Sequence, residues 1–353
     1  MSGSRASPDA PPDRARELDR LARAMVADGS CSAVALSVAD GAFAVGPFRA
    51  GRRRLADPAP VAAGDRFDLA SLTKPFMAEL ARLLDGAGEL SLDLPVGEVW
   101  EGADPRLADR SLRALLEHRA GFQAWAPLSL CAEGPTRVAE LLLGGRLLGA
   151  PEGRYSDLDF ILWGLTAERA LGRPLARLVA ERLEPAIGHP LLSGDHVVEC
   201  GLDNRREVEL AAEGGRDLPR APAPAPGEPQ DGNARFLGGI GGHAGLFASA
   251  VAVTALARRV VERGRGGPPG EEGGYALGWA RPSTWRGGGA GIPAGGLGHL
   301  GFTGGSVWVD PGRGRIAVLL AHRASVERGI DRWRQRFHRL AFAGPTPSPD
   351  PAW

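Results

Sequence analysis

The stretch that decides the fold is Phe67-Asp-Leu-Ala-Ser71-Leu-Thr-Lys74-Pro75. Apolar residues follow at intervals of three and four, and this period predicts an amphipathic helix over residues 71–84. Pro75 must then lie in the first turn, where a missing backbone N–H is tolerated. A spacing of three residues at the start of a helix places Ser71 and Lys74 on one face, within reach of each other.

Ser71 and Lys74 are the residue types that nucleophilic acyl transfer requires. A serine hydroxyl is a poor nucleophile unless a base takes its proton, and a lysine is such a base when burial lowers its pKa. Backbone N–H groups at a helix N-terminus can also bind an oxyanion. Lys74 is the only lysine among the 42 lysine and arginine residues. Because arginine cannot deprotonate in a protein, this scarcity favours proton transfer over the alternative, a surface lysine present by chance.

Strand patterns lie at both ends of the chain. Residues 31–39 and 42–48 predict a hairpin with an Asp40-Gly41 turn, and residues 305–310 and 315–322 predict two late strands. Helical patterns lie at residues 14–26, 112–118, 138–148, 158–165, 175–183, 246–263 and 330–342. Because no β-α-β alternation is present, the sequence predicts an α+β fold. One antiparallel sheet from both chain ends would be flanked by helices, with an inserted helical lobe.

The expected organisation is a single catalytic domain over residues 15–345. Its sheet lobe would comprise residues 15–85 and 235–343, and its helical lobe residues 86–234. Residues 1–14 are expected to form a disordered tail, and residues 346–353 a second tail.

Composition argues against several classes of protein. The 353 residues carry a formal net charge of +0, which is unfavourable for binding nucleic acid. The sequence has no run of eighteen apolar residues and no signal-peptide core, so we expect a cytoplasmic protein with no membrane partner. An export signal encoded from an upstream start codon is the alternative. The three widely spaced cysteines predict free thiols.

Three other chemistries lack the sequence context that they need. Residues 239–244 fit a loose dinucleotide fingerprint, G-x-G-x-x-A, but no convincing strand precedes them. The seven histidines form no H-E-x-x-H motif, so we expect neither a metal site nor another cofactor. The sequence also has no G-x-S-x-G elbow, which argues against an α/β-hydrolase.

Two further groups carry residues suited to acyl transfer. Tyr155-Ser-Asp157 contains one of only two tyrosines, and a phenol near a lysine can shuttle protons. The alternative is a half-buried tyrosine followed by Asp157 as a helix N-cap. Gly298-His-Leu-Gly301-Phe-Thr-Gly-Gly-Ser306 has small residues that allow a substrate backbone to approach closely. In that group His299 can offer a cation or a donor to a carboxylate, the alternative being an incidental surface histidine in a glycine-rich turn.

Together these groups resemble the serine β-lactamase and penicillin-binding protein superfamily, on its class C β-lactamase and D,D-peptidase side. Ser71-Leu-Thr-Lys74, Tyr155-Ser-Asp157 and His299-Leu-Gly301 occur in the order that the family shows. Asp231-Gly-Asn-Ala and Gly239-Ile-Gly-Gly-His-Ala-Gly-Leu-Phe resemble a subgroup of penicillin-binding-protein-like serine hydrolases. The resemblance covers nearly the whole chain.

The resemblance implies a role for each matched residue. Ser71 would attack an acyl carbonyl, and Lys74 and Tyr155 would move the protons. The backbone N–H groups of Ser71 and Phe302 would form the oxyanion hole. The residues implied to line the substrate site are Asp157, His299, Gly301, Asn233 and His243. For His243, simple packing within its loop is an equal alternative.

Two departures from the family pattern bear on the substrate. The second motif usually ends in asparagine, whereas here Asp157 would favour a charged Lys74. The third motif usually has lysine where this chain has His299, and His-x-Gly resembles the esterase-like members. The expected function is therefore a serine hydrolase that acts through acyl-Ser71 on small esters or amides, with a pH dependence through His299. The alternatives are a D-alanyl-D-alanine carboxypeptidase or β-lactamase that acts on a peptide or lactam, and a non-catalytic binding protein that retains the fold.

Overall fold

The structure is a computed structural model that describes residues 12–41, 43–264, 274–282, 291–326 and 329–343. The strands over these residues are β1 Cys31–Asp40, β2 Phe43–Gly51, β3 Phe67–Asp68, β4 Phe247–Ala248, β5 Tyr275–Ala276, β6 Trp279–Ala280, β7 Leu297–Leu300, β8 Ser306–Asp310 and β9 Arg315–Arg323.

Seven of the described strands form one sheet in the order β2-β1-β9-β8-β7-β6-β5, and every neighbouring pair is antiparallel. β1 and β9 pair along their length, with Val34 opposite Ala321 and Leu36 opposite Leu319. The first and the last of the described strands therefore lie side by side in the sheet. This confirms the antiparallel sheet and the α+β fold predicted from the sequence. Three strands of this sheet were not predicted: β5, β6 and β7.

The described helices lie mostly between β3 and β4. Over the described residues they are α1 Pro12–Ala27, α2 Thr73–Gly86, α3 Val96–Val99, α4 Pro105–Ala108, α5 Leu112–Leu116, α6 Leu128–Cys131, α7 Val138–Leu143, α8 Asp157–Leu171, α9 Leu175–Leu178, α10 Glu184–Ile187, α11 Arg205–Glu213, α12 Gly232–Phe236, α13 Ala250–Gly264 and α14 Ile330–Phe342. Among these helices, none has both the length and the hydropathy that crossing a membrane requires.

The two faces of β9 show why helices flank the sheet on both sides. Successive residues of a strand point to opposite faces. On one face, three residues pack in a cluster with α1 and α14: Ala317, Leu319 and Ala321. On the other face, three residues pack in the cluster that contains α2 and α13: Ile316, Val318 and Leu320. This double burial explains the continuous apolar run of the strand.

Several predicted helices differ in extent or type from those in the structure. The pattern at 138–148 forms α7, which ends at Leu143 because two glycines follow it. The pattern at 246–263 begins as β4, and α13 starts only at Ala250, because the first residues of the pattern pair with β3. The pattern at 175–183 changes from α-helix to a π turn over Val179–Leu183.

Residues 12–14, which were expected to belong to the disordered tail over residues 1–14, form the start of α1. The Arg14 guanidinium donates to the carbonyl oxygens of Leu340 and Ala341, each at 2.6 Å, which fixes the start of α1 to α14. The remainder of that tail and the second tail, 346–353, lie outside the described residues.

Candidate active site

Ser71 lies in a tight turn immediately before α2. Residues Ala70–Leu72 form a single 3₁₀ turn, and the α-helix begins at Thr73, so Pro75 falls in the first turn as predicted. Ala70 has a φ of 44°, a left-handed conformation that costs a residue with a Cβ about 1–2 kcal/mol. The Asp68 carboxylate holds this turn, because its Oδ1 accepts from the Ala70 N–H at 2.9 Å.

The structure brings Ser71, Lys74 and Tyr155 into mutual hydrogen-bond contact. Ser71 Oγ lies 2.7 Å from Tyr155 OH and 3.0 Å from Lys74 Nζ. Lys74 Nζ is 2.7 Å from the same Tyr155 hydroxyl. The three polar atoms therefore form a closed triangle in which a proton can pass between any two of them.

Lys74 is buried, and its amine has two further acceptors. Asp157 Oδ1 lies 2.6 Å from Lys74 Nζ, and the carbonyl oxygen of His243 lies 3.2 Å from it. Burial lowers the pKa of Lys74, and the nearby Asp157 carboxylate opposes this shift without cancelling it. Burial also raises the pKa of Tyr155 well above its usual value, with Asp157 acting in the same direction. Tyr155 is therefore a neutral phenol.

The interpretation of Asp157 as a helix N-cap is wrong. Ser156 is the N-cap of α8, since its Oγ accepts from the Leu158 N–H at 3.1 Å. Asp157 is instead the first residue of the helix, and its carboxylate points at Lys74 and accepts from Tyr155 OH at 3.0 Å.

His299 lies on β7, fully buried, and is therefore not an incidental surface histidine. Its ring centroid is 6.0 Å from that of Tyr155, which places it beside the triangle. Burial, followed by the charge of Lys74, lowers the pKa of His299 to about 3, so the ring is neutral at neutral pH. Nδ1 lies 2.8 Å from the carbonyl oxygen of Leu300 and must carry the proton, because a carbonyl only accepts.

Gly301 allows a close approach of the protein's own backbone, and its predicted contact with a substrate stays a prediction. A Cβ at Gly301 would lie 2.7 Å from the carbonyl oxygen of Leu69. On the other side of Phe302, Thr303 Oγ1 donates to the carbonyl oxygen of Asp68 at 2.9 Å. These two contacts hold the backbone of Phe302 against the turn that carries Ser71.

Asn233 lies on α12 and uses its amide to hold a neighbouring loop. Its Oδ1 accepts from the Leu128 N–H at 3.0 Å, and its Nδ2 donates to the Ala126 carbonyl at 2.9 Å. The His243 ring is fully buried and lies 2.8 Å from Asp231 Oδ1. Both side chains therefore make hydrogen bonds within the protein, and their implied place in the substrate site stays a prediction.

Several residues around the triangle were missed by the sequence analysis. The buried His118 ring packs against Tyr155 and Tyr275, at centroid distances of 4.8 and 4.4 Å. His118 Nδ1 accepts from the Ser156 N–H at 3.1 Å, so His118 supports the segment that carries Tyr155 and Asp157. Tyr275 is the only other tyrosine in the chain, and that scarcity was a signal that could have identified it.

A family model and a sequence relative each match most of the chain. A model of the Beta-lactamase family matches residues 18–341. A protein from Escherichia coli O157:H7, described as "Putative D-alanyl-D-alanine carboxypeptidase", is 24% identical over 327 residues, which cover 76% of this chain and 71% of that protein.

Solved structures of the same fold superpose on most of the chain. A penicillin-binding protein homologue from Caulobacter crescentus gives a TM-score of 0.69 at 19% identity and covers 94% of this chain and 97% of its own. EstCE1, described as a hydrolase with promiscuous acyltransferase activity, gives a TM-score of 0.67 at 17% identity. The match covers 94% of this chain and 99% of EstCE1. Because the family model spans nearly the whole chain, the protein belongs to the Beta-lactamase family, which confirms the resemblance drawn from the sequence.

Proposed function

We propose that this protein is a serine hydrolase that acts on small esters or amides through an acyl-Ser71 intermediate. The observation that carries the proposal is the closed triangle of Ser71 Oγ, Tyr155 OH and the buried Lys74 Nζ, with sides between 2.7 and 3.0 Å. Because burial lowers the pKa of Lys74, its neutral amine is accessible as a base. Tyr155 has a raised pKa and serves as a neutral relay.

In the acylation step, Ser71 Oγ bonds to the acyl carbon while its proton moves to Lys74 Nζ, directly or through the Tyr155 hydroxyl. The ammonium that forms is stabilised by Asp157 Oδ1, which lies 2.6 Å away. When the tetrahedral intermediate collapses, the bond to the leaving group breaks, and Tyr155 passes the proton from Lys74 to the departing oxygen or nitrogen.

Deacylation repeats the proton transfers in reverse. A water attacks the acyl carbon, its proton goes to Lys74, and Ser71 Oγ leaves as the proton returns to it. In both steps the negative charge on the acyl oxygen would be bound by the backbone N–H groups of Ser71 and Phe302. The close packing of Gly301 and Thr303 against the Leu69 and Asp68 carbonyls supports this assignment, since it fixes the Phe302 backbone beside Ser71.

The electrostatics around His299 favour esters and simple amides over peptides that end in a carboxylate. A neutral ring whose Nδ1–H is directed at Leu300 offers no positive charge to a carboxylate, and its Nε2 is an acceptor. His299 would therefore line the acyl site as a neutral group.

A D-alanyl-D-alanine carboxypeptidase is the second candidate. It is favoured by the name of the Escherichia coli relative, whose match extends over 76% of this chain. The two candidates differ in their need for a cation near the leaving group, so a comparison of substrates distinguishes them.

The test is hydrolysis of p-nitrophenyl esters, simple amides and D-alanyl-D-alanine peptides by the wild type and by Ser71→Ala. Ser91→Ala is the matched control, because Ser91 is an exposed serine just beyond the C-terminal end of α2. We expect ester hydrolysis that Ser71→Ala abolishes and Ser91→Ala retains. Full ester hydrolysis by Ser71→Ala would overturn the proposal, and faster turnover of the D-alanyl peptide would favour the second candidate.

A further inference from the structure

The His243 ring is enclosed by two acceptors. Its Nε2 lies 2.8 Å from Asp231 Oδ1, and its Nδ1 lies 3.3 Å from the carbonyl oxygen of Gly241. A neutral imidazole has a single N–H, so it can satisfy only one of these acceptors, whereas an imidazolium satisfies both. A Cβ at position 241 would lie 2.8 Å from Cε1 and Nδ1 of the ring, so glycine at this position leaves the ring its space.

Asp231 is held as the matching anion. Its Oδ1 accepts from the Ala234 N–H at 2.8 Å, as the N-cap of α12, in addition to its contact with His243. Burial opposes ionisation, but the charge of His243 outweighs it and lowers the pKa of Asp231 to about 2. In the same way, burial disfavours protonation of the His243 ring, but the charge of Asp231 outweighs the effect of burial and raises the pKa of His243.

The main chain of His243 connects this ion pair to the Lys74 amine. The carbonyl oxygen of His243 lies 3.2 Å from Lys74 Nζ, on a residue whose side chain is anchored at both nitrogens. The charge of Asp231 by itself favours the ammonium form of Lys74. An unpaired Asp231 carboxylate would therefore work against a neutral lysine base.

We propose that the ion pair of Asp231 and His243 is a positioning element for Lys74. The His243 imidazolium neutralises the Asp231 carboxylate near the Lys74 amine. The main-chain carbonyl of His243 orients that amine towards Ser71. The inference rests on the proposed function, since it assigns how the base of that reaction is kept neutral and in place.

Other charged groups also face the pair, and each affects the same titration. They are Lys74 on α2, Asp157 on α8 and Glu207 on α11, and Arg235 on α12 acts on Glu207. Burial, followed by the charge of Asp231, raises the pKa of Glu207 to about 7, so Glu207 titrates within the working range. The pH profile of kcat/KM for the variant Glu207→Gln therefore measures separately how much Glu207 contributes to the pH dependence.

The kinetic test uses His243→Asn, which removes the positive charge but keeps the main-chain carbonyl. The Asp231 carboxylate is then uncompensated, the pKa of Lys74 rises, and the acid limb of kcat/KM for a p-nitrophenyl ester should move to higher pH by about 1 unit or more. The double variant Asp231→Asn/His243→Asn removes both charges and should return the limb to within about 0.5 unit of the wild type. The proposal is overturned if the acid limb of His243→Asn stays where it is in the wild type. It is also overturned if the acid limb of the double variant stays displaced.

A second measurement needs neither activity nor a variant. In ¹⁵N NMR of the free wild-type protein at pH 7.5, both ring nitrogens of His243 should be protonated, and a neutral ring overturns the proposal. Because the NMR result does not depend on turnover, a protein that shows the imidazolium but forms no Ser71 adduct with any ester refutes the proposed function and leaves the ion pair established.

Discussion

Replacing Asp157 by asparagine tests whether Lys74 is the base, because it removes the negative charge that lies beside the Lys74 amine. Asp157 Oδ1 lies 2.6 Å from Lys74 Nζ, whose side chain is fully buried, while the Asp157 side chain is 14% exposed. At this distance and an effective dielectric constant of about 20, the attraction between the two charges is about 6 kcal/mol. Asparagine keeps an oxygen acceptor and water reaches part of the site, so we expect a net change of about 1–3 pKa units.

The direction of the change follows from the sign of the removed charge. Without the carboxylate the pKa of Lys74 falls further, and the neutral amine persists to lower pH. The acid limb of kcat/KM for a p-nitrophenyl ester should therefore move to lower pH by about 1–3 units. The assay is a pH series at substrate concentrations far below KM, for the wild type and Asp157→Asn.

Asp159→Asn is the matched control on the same helix. Burial raises the pKa of Asp159 well above its usual value, which favours the uncharged carboxyl, and its Oδ1 accepts from the Ala120 N–H at 3.2 Å. We expect the acid limb of Asp159→Asn to move less than that of Asp157→Asn. If the limb stays in place or moves upward in Asp157→Asn, Lys74 is not the group that titrates, and the assignment of the base is refuted.

Four further substitutions test other parts of the site. Lys74→Arg keeps the charge but cannot deprotonate, so kcat/KM should fall by about 10²–10⁴-fold, and retention of activity would contradict a lysine base. Tyr155→Phe removes the relay and should lower kcat by about 10²-fold or more, whereas an unchanged kcat would make direct transfer to Lys74 sufficient. Gly301→Ala places a Cβ 2.7 Å from the Leu69 carbonyl and should lower both kcat and the free energy of unfolding, the latter by about 1–3 kcal/mol in denaturant titrations. His299→Gln should leave the limbs of the pH–rate profile between pH 5 and 9 unmoved, because burial lowers the pKa of His299 to about 3; a displaced limb would restore the pH role first expected from the sequence.

The sequence predicted those features that depend on local period and spacing. The placement of Ser71 and Lys74 needs only one turn of helix, and the spacing of three residues was sufficient to predict it. The long strands of the sheet and the last helix have strong periodic patterns, and the prediction of 330–342 matches α14. The two-residue strands β5 and β6 are too short for a pattern to identify.

The features that the sequence missed depend on contacts between distant segments. The amide of Asn233 is satisfied by Ala126 and Leu128, more than a hundred positions earlier in the chain. The charge state of His299 follows from its burial on β7 next to Lys74, and the residues adjacent to it in the sequence do not indicate that state. Asp68 belongs to the stretch that decides the fold, yet its carboxylate also accepts from the Gln230 N–H at 2.6 Å, which only the tertiary structure reveals.

The central claim is that Ser71 is acylated because Lys74 and Tyr155 remove its proton. The most direct measurement is intact-protein mass spectrometry after brief exposure to a fluorophosphonate or a slowly hydrolysed ester, followed by peptide mapping of the adduct. The account predicts one adduct per chain, located on Ser71, formed more slowly by Lys74→Arg and absent from Ser71→Ala. An adduct that persists in Ser71→Ala, or a Lys74→Arg protein that labels at the wild-type rate, would contradict it.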